Sequence, residues 1–205
     1  MAIPEAGTPA PAISLSADYG EPFQLQSLAG KNVVLYFFPK ADTPGCTKES
    51  CEFRDTSKKF TKANTVIVGV SPDPAGAQAK FKEKFDLPFV LLADVDHKAA
   101  QAYGVWSEKI MYGRKYMGVE RTTVVIDPMG VIKKVFPKVK VDGHAEEVLA
   151  ALAENQAAFW GVVAVCFPRL LPTSMIGLFA GLPFDQDGFA RFNTRFFLQT
   201  KSPPL

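Results

Sequence analysis

Two thiols lie close together in the stretch PKADTPGCTKESCEFRD, residues 39–55: Cys46 and Cys51. A cysteine attacks as its thiolate, so what surrounds each sulfur decides whether it is reactive or inert. The apolar run NVVLYFF (32–38) stops just before this stretch, and TKESCEFRDTSKKFTKA within it favours helix. Thr43 or Gly45 can cap that helix, and Pro44 suits its first turn. Cys46 is therefore expected where a buried strand gives way to a helix. Unpaired N–H groups and the positive end of the helix dipole favour a thiolate there. Thr43 adds a hydroxyl on the same turn. A small buried hydrophobe is the plainer reading of a lone cysteine, and both the junction and the second thiol weigh against it.

Cys51 lies five positions beyond Cys46. Five helical residues advance about 500° and rise about 7.5 Å, which sets the two Cα atoms roughly 8.7 Å apart with side chains diverging by about 140°. A disulfide needs Cα atoms within about 7 Å. Either the two thiols never bond, or the helix unwinds between them during the reaction. A redox C-x-x-C pair needs no such motion. Zinc would need two more ligands, and the two histidines, His97 and His144, stand alone in unrelated segments. No metal and no cofactor is expected. The geometry suits an attacker that is oxidised first and resolved later: a thiolate takes oxygen from a peroxide, becomes a sulfenic acid, and a second thiol condenses with it.

The elements that must hold these residues alternate along the chain. AISLS and PFQLQ around ADYGE read as a short hairpin, and NVVLYFF and TVIVGV (65–70) as strands buried on both faces. SPDPAGAQAKFKEKF is a capped helix with Phe81 and Phe85 on one face, PFVLLAD (88–94) a third strand, and DHKAAQAYGV a short helix ending near Gly104. RTTVVIDPMGVIKKVF (121–136) is a hairpin turning at Asp127-Pro128-Met129-Gly130. GHAEEVLAALAEN is a helix with Val148, Leu149 and Leu152 as its apolar stripe. This order predicts an α/β domain: a central mixed sheet with helices on both faces.

Composition divides the chain near residue 156. The whole chain of 205 residues carries 23 Lys+Arg and 21 Asp+Glu, a net charge of +2. The last 50 residues hold four basic and two acidic side chains, so residues 1–155 carry 19 of each (23 − 4 and 21 − 2) and balance to zero. Those 50 residues also hold 8 of the 17 phenylalanines. We therefore read 1–155 as the folded domain and 156–205 as a separate apolar extension. It either packs on the domain or lacks stable structure. A membrane span is not expected, because Arg169, Pro172 and Pro183 break its apolar runs short of the roughly 20 residues a span needs. The modest charge excludes a nucleic-acid arm. No signal peptide is read at the N-terminus, and three cysteines suit a reducing compartment, so a cytoplasmic protein is expected.

PKADTPGCTKESC resembles the P-x-x-x-T-x-x-C signature of peroxiredoxins, and its C-x-x-x-x-C pair resembles the peroxiredoxin Q or bacterioferritin comigratory protein branch. The resemblance extends through VIVGVSPD, KFKEKFDLPFVLLAD and YGVWSEKIMYGRKYMGVERTTVVID, and covers roughly residues 8–154. It implies a thioredoxin-like fold and the reduction of hydrogen peroxide and organic hydroperoxides. It also implies recycling by thioredoxin or a related dithiol protein, and a monomer or weak dimer. By position, Cys46 matches the peroxidatic cysteine and Cys51 the resolving one. Thr43 matches the residue whose hydroxyl orients the peroxide, and Pro39 the proline that shields the thiolate. Arg121 matches the arginine that holds the thiolate and polarises the peroxide. Val124 replaces a frequent phenylalanine, a packing change.

Other conspicuous residues receive plainer readings. Trp106, Tyr112 and Tyr116 are expected as half-buried aromatics, Lys40, Lys48 and Arg54 as solvated cations, and His97 and His144 as helix-start residues. Cys166 is a tail thiol without a role. Two rival functions remain open at this stage. One is a thioredoxin-like disulfide oxidoreductase, against which the cysteine spacing and the Thr43–Cys46 pairing argue. The other is a holdase that works through the apolar extension.

Overall fold

Strand period and apolar content together place the two thiols' helix on one side of a sheet. The computed structural model describes residues 3–111 and 114–153. Tyr112, Cys166 and the 156–205 extension lie outside the described residues. The strands are β1 (Ser14–Ala17), β2 (Pro22–Gln24), β3 (Asn32–Phe37), β4 (Thr65–Ser71), β5 (Val90–Ala93), β6 (Trp106–Met111), β7 (Arg114–Val119), β8 (Thr122–Ile126) and β9 (Ile132–Phe136). The helices are α1 (Pro44–Lys62), α2 (Ala75–Lys84), α3 (Lys98–Ala102) and α4, which runs through residues 144–153.

Seven strands form one sheet in the order β2-β1-β5-β4-β3-β8-β9. The central β3, β4 and β5 run parallel, and β8 joins β3 antiparallel. Residues alternate faces along a strand, so β3 supplies both halves of the core. Val33, Leu35 and Phe37 join Val68, Val70, Leu92, Val124 and Tyr103 on one face. Val34, Tyr36 and Phe38 join Phe53 and Phe60 of α1, Phe81 of α2 and Val148 of α4 on the other. Helices thus cover both faces, with α3 opposite α1. This is the mixed α/β architecture that the element order predicts, and the near-continuous apolar runs of β3 and β4 follow from burial on both sides.

One element was not expected. Residues Trp106–Met111 and Arg114–Val119 pair with each other as a separate two-stranded ribbon, with Lys109 opposite Tyr116. It ends at Val119, two residues before Arg121.

Candidate active site

The loop from Phe38 to Thr43 joins β3 to α1 and is pinned from two sides. The Ala41 N–H donates to the Asp73 carboxylate at 2.7 Å, and Ser71 Oγ donates to the same oxygen at 2.7 Å. Asp42, at φ 54°, pairs with Lys84 at 2.8 Å. These contacts tie the loop to the ends of β4 and α2. Pro39 lies in this loop, half-buried, between the end of β3 and the thiol.

Thr43 is the N-cap residue of α1, extended at φ −100° and ψ 151°, and Pro44 opens the first turn. Of the two expected caps, the backbone chooses Thr43. Its hydroxyl does not cap the helix, however. It donates to the Lys40 carbonyl at 3.0 Å, while the Thr43 carbonyl accepts the first helical bond from Thr47 at 2.8 Å. The Thr43 side chain is thus held beside the first turn by its own loop.

Cys46 follows in that first turn and is buried at 1% exposure, whereas Cys51, one and a half turns on, is partly exposed. Both are free thiols, and both lie within the unbroken α1. The geometric expectation for two thiols kept apart by a helix therefore holds.

Arg121, immediately before β8, reaches back to this turn. Its Nη2 donates to Cys46 Sγ at 3.3 Å, and its Nη1 donates to the Glu49 carboxylate. The guanidinium is 17% exposed and Glu49 only 1%. Burial works against the Arg121 charge, but Glu49 and the Cys46 sulfur more than offset it and hold the guanidinium protonated. Burial pushes the Glu49 carboxyl up to about 7 against the pull of Arg121. Glycine at position 45 eases the approach: a Cβ there would sit 3.3 Å from Arg121 Nη2 and make the guanidinium give by a few tenths of an ångström.

Two features of this site escape sequence reasoning. Glu49 reads as one more solvated helix carboxylate, and only the position of Arg121, 72 residues away, reveals its role. Lys109, on β6, donates to the Val119 carbonyl at 2.5 Å. Burial pushes its ammonium down, and it lies within the electrostatic reach of Glu120, Arg121 and Cys46. A lysine in an unexpected hairpin gives no signal of its own.

The plainer readings mostly stand. Lys48 pairs with Asp142 at the surface, and Arg54 with Asp55 and the Phe85 carbonyl. Trp106 is half-buried, stacked on His97 at 3.9 Å, but Tyr116 is exposed. His97 and His144 do start helices. His144 also shares a hydrogen bond with Thr123 Oγ1 at 2.8 Å, which ties α4 to β8 next to Arg121. Burial pushes its imidazole below the ordinary range. Val124 is fully buried on the face opposite α1.

A thioredoxin-like sheet that presents a buried thiol to an arginine at a helix start fits the class that the sequence resemblance implies, the thiol peroxidases. Comparison with known proteins narrows it. Residues 6–135 match the AhpC/TSA family. The chain is 51% identical over 148 residues to a putative peroxiredoxin of Coxiella burnetii, covering 72% of this chain and 98% of that protein. It is 48% identical over 150 residues to the peroxiredoxin Bcp of Bacillus subtilis, covering 73% and 96%. Among solved structures, the bacterioferritin comigratory protein of Xanthomonas campestris, described for its alkyl peroxide reduction, superposes with a TM-score of 0.69 at 38% identity, covering 74% of this chain and 99% of that one. The chain belongs to the AhpC/TSA family, with peroxiredoxins of the Bcp type as its relatives, and is a thiol peroxidase.

Proposed function

We propose that this protein reduces hydrogen peroxide and organic hydroperoxides through Cys46, with Cys51 as its resolving partner and thioredoxin or a related dithiol protein as reductant. The observation that carries this reading is the 3.3 Å contact between Arg121 Nη2 and the buried Cys46 sulfur. A permanent cation stabilises the thiolate, and it also stabilises negative charge that develops on the leaving oxygen. Thr43, held against its loop, offers a hydroxyl to orient the peroxide, and Pro39 keeps bulk water off the sulfur. The thiolate attacks one peroxide oxygen, the O–O bond breaks, and the alkoxide or hydroxide leaves with a proton from solvent. Cys46 becomes a sulfenic acid. Cys51 then condenses with it, which requires α1 to unwind between them.

A disulfide oxidoreductase must bring its thiol against a protein disulfide, and Cys46, at 1% exposure, suits a small peroxide instead. The holdase reading rests on the extension, outside the described residues. We further infer a domain ending near residue 155, a monomer or weak dimer, and a cytoplasmic location. No helix among the described residues is long and apolar enough to cross a membrane.

The test separates the two sulfurs. Cys46→Ser is expected to abolish peroxide consumption with thioredoxin. Cys51→Ser is expected to react once and stop as a sulfenic acid that a dimedone-type probe traps. If Cys51→Ser instead leaves Cys46 unreactive, the assignment is reversed.

A further inference from the structure

Under the first two turns of α1 lies a polar contact that peroxide attack does not use. Tyr36, in mid-strand β3, is wholly buried. Its ring packs against Phe53 at 5.0 Å and Phe38 at 5.4 Å between centroids. It also lies over Gly69, its register partner on β4. A Cβ at Gly69 would come within 2.8 Å of the phenol's Cζ and oxygen, so glycine is what leaves room for the ring. The hydroxyl is 3.0 Å from the Ser50 Oγ. Ser50 is also wholly buried, and it is the residue just before Cys51. Burial pushes the Tyr36 phenol well above its ordinary range, so it stays a neutral hydrogen-bonding group, with Glu49, Cys46 and Cys51 all within its electrostatic reach.

Serine is a poorer helix former than alanine, and a small buried helix position facing a core would suit alanine well. This chain places a hydroxyl there and a phenol opposite it.

We propose that the Tyr36–Ser50 hydrogen bond is a clasp on the resolving step, holding the second turn of α1 against the sheet and setting how fast oxidised Cys46 meets Cys51. The inference rests on the Cys46–Cys51 reading above. For the two sulfurs to meet, residues 46–51 leave their helical path, and Ser50 leaves Tyr36 with them. The S–O bond of the sulfenic acid then breaks as the S–S bond forms. The Cys51 thiol proton goes to the departing hydroxide, giving water, and no further oxidant is consumed. Until that happens a second peroxide competes, transferring an oxygen to the sulfenic acid to give the sulfinic acid and releasing alcohol or water. A tighter clasp lengthens the wait and enlarges the sulfinate share. Tyr36 and Ser50 are thus positioning residues for resolution and leave the attack on peroxide alone.

The test uses Tyr36→Phe, which keeps the ring, Ser50→Ala, and the double variant, each in the full chain. Rapid mixing with peroxide, alkylation quench and intact mass follow the sulfenic acid, the disulfide and the sulfinate separately. Each single variant is expected to form the disulfide about threefold to tenfold faster, the range a net hydrogen bond supplies. The sulfinate share at fixed excess peroxide falls correspondingly, while sulfenic acid forms at the wild-type rate. The double variant is expected to be no faster than the faster single, since both lack the same bond. Phe60→Leu loosens the same core beyond the segment and is expected not to accelerate the step. Disulfide formation at or below the wild-type rate in both singles overturns the clasp, as does equal acceleration by Phe60→Leu. Peptide mapping of the oxidised wild type separates the two levels. A link other than Cys46–Cys51 overturns the underlying reading and the clasp with it. A correct link with unchanged rates overturns the clasp alone.

Discussion

The first turn of α1 and the turn that follows it carry the same functional group and treat it in opposite ways. Around Cys46 three features converge: the helix start at Thr43, a loop tied to Asp73 and Lys84, and a guanidinium at 3.3 Å from sulfur. Around Cys51, among the described residues, the partly exposed Arg54 brings a positive charge within electrostatic reach, with no hydrogen bond to the sulfur. Cys51 is itself partly exposed, and its neighbour Ser50 rather than its own sulfur is held by the core. The difference fits a division of labour. The thiol that meets an oxidant gains from a fixed, charged setting, because transition-state stabilisation depends on groups already in place. The thiol that travels in the proposed cycle is held through its neighbour, so that contact rather than its own sulfur sets when it moves.

The contrast is sharpest at Arg121. Arg121→Ala is expected to slow sulfenic acid formation by at least about tenfold, in line with the loss of an electrostatic stabiliser worth a few kcal/mol. Arg121→Lys is expected to recover part of it, since an ammonium supplies charge without the planar fork that serves Cys46 and Glu49 together. An unchanged second-order rate constant for peroxide in Arg121→Ala would remove the arginine from the chemistry and level the two turns.

A milder intrusion comes at Gly45. Gly45→Ala adds a methyl group 3.3 Å from Arg121 Nη2, so the guanidinium must give by a few tenths of an ångström. The expected result is a several-fold slower peroxide step with near-normal stability, since a small displacement of a positioned group costs rate before it costs folding. Stopped-flow kinetics beside a denaturant titration read the two effects apart.

The smallest effect is a slope. Burial pushes the Glu49 carboxyl up to about 7 in the folded chain, from 4.5 for an ordinary glutamate. Between these values the folded state keeps a proton that the unfolded state has lost, so this residue's contribution to stability falls as pH rises from about 4.5 to about 7 and then levels off. His144, whose imidazole is pushed down, slopes the other way below its ordinary value. The difference between wild type and Glu49→Gln isolates the carboxyl. Denaturant midpoints across this range are expected to converge at low pH and to separate toward pH 7, with the glutamine variant more stable there. Parallel curves would mean that Glu49 is ionised throughout.

The main sheet was legible because its central strands are apolar without interruption. Burial on both faces leaves such a run no helical alternative of that length, and β3, β4 and β5 fall where those runs predict. The β6–β7 ribbon was not legible for the complementary reason. Its strands mix Lys, Glu and Arg with Trp, Ile and Met, and they pair only with each other, so no sheet face imposes a pattern on them. The thiols, Thr43 and Arg121 were visible because their spacing or family pattern is distinctive. Glu49, Lys109 and the Tyr36–Ser50 contact were not, because each acquires meaning from a residue far away in the chain or on another element. Electrostatic second partners and buried hydroxyl pairs are tertiary facts, and residue type alone does not announce them.

α1 continues well beyond Cys51, to Lys62, with Phe53 and Phe60 buried along that length. Opening the first two turns therefore leaves a wound remainder anchored to the sheet. Starting a helix is its improbable event, and extending an existing one is cheap, at about nanoseconds per residue. In the cycle proposed above, once a reductant cuts the disulfide, the reopened residues would rewind from a template already present, with no new nucleus to form. On that proposal the length of α1 past its second cysteine would work as a conformational memory, returning each cycle to its starting shape on a timescale set by thiol exchange rather than by folding.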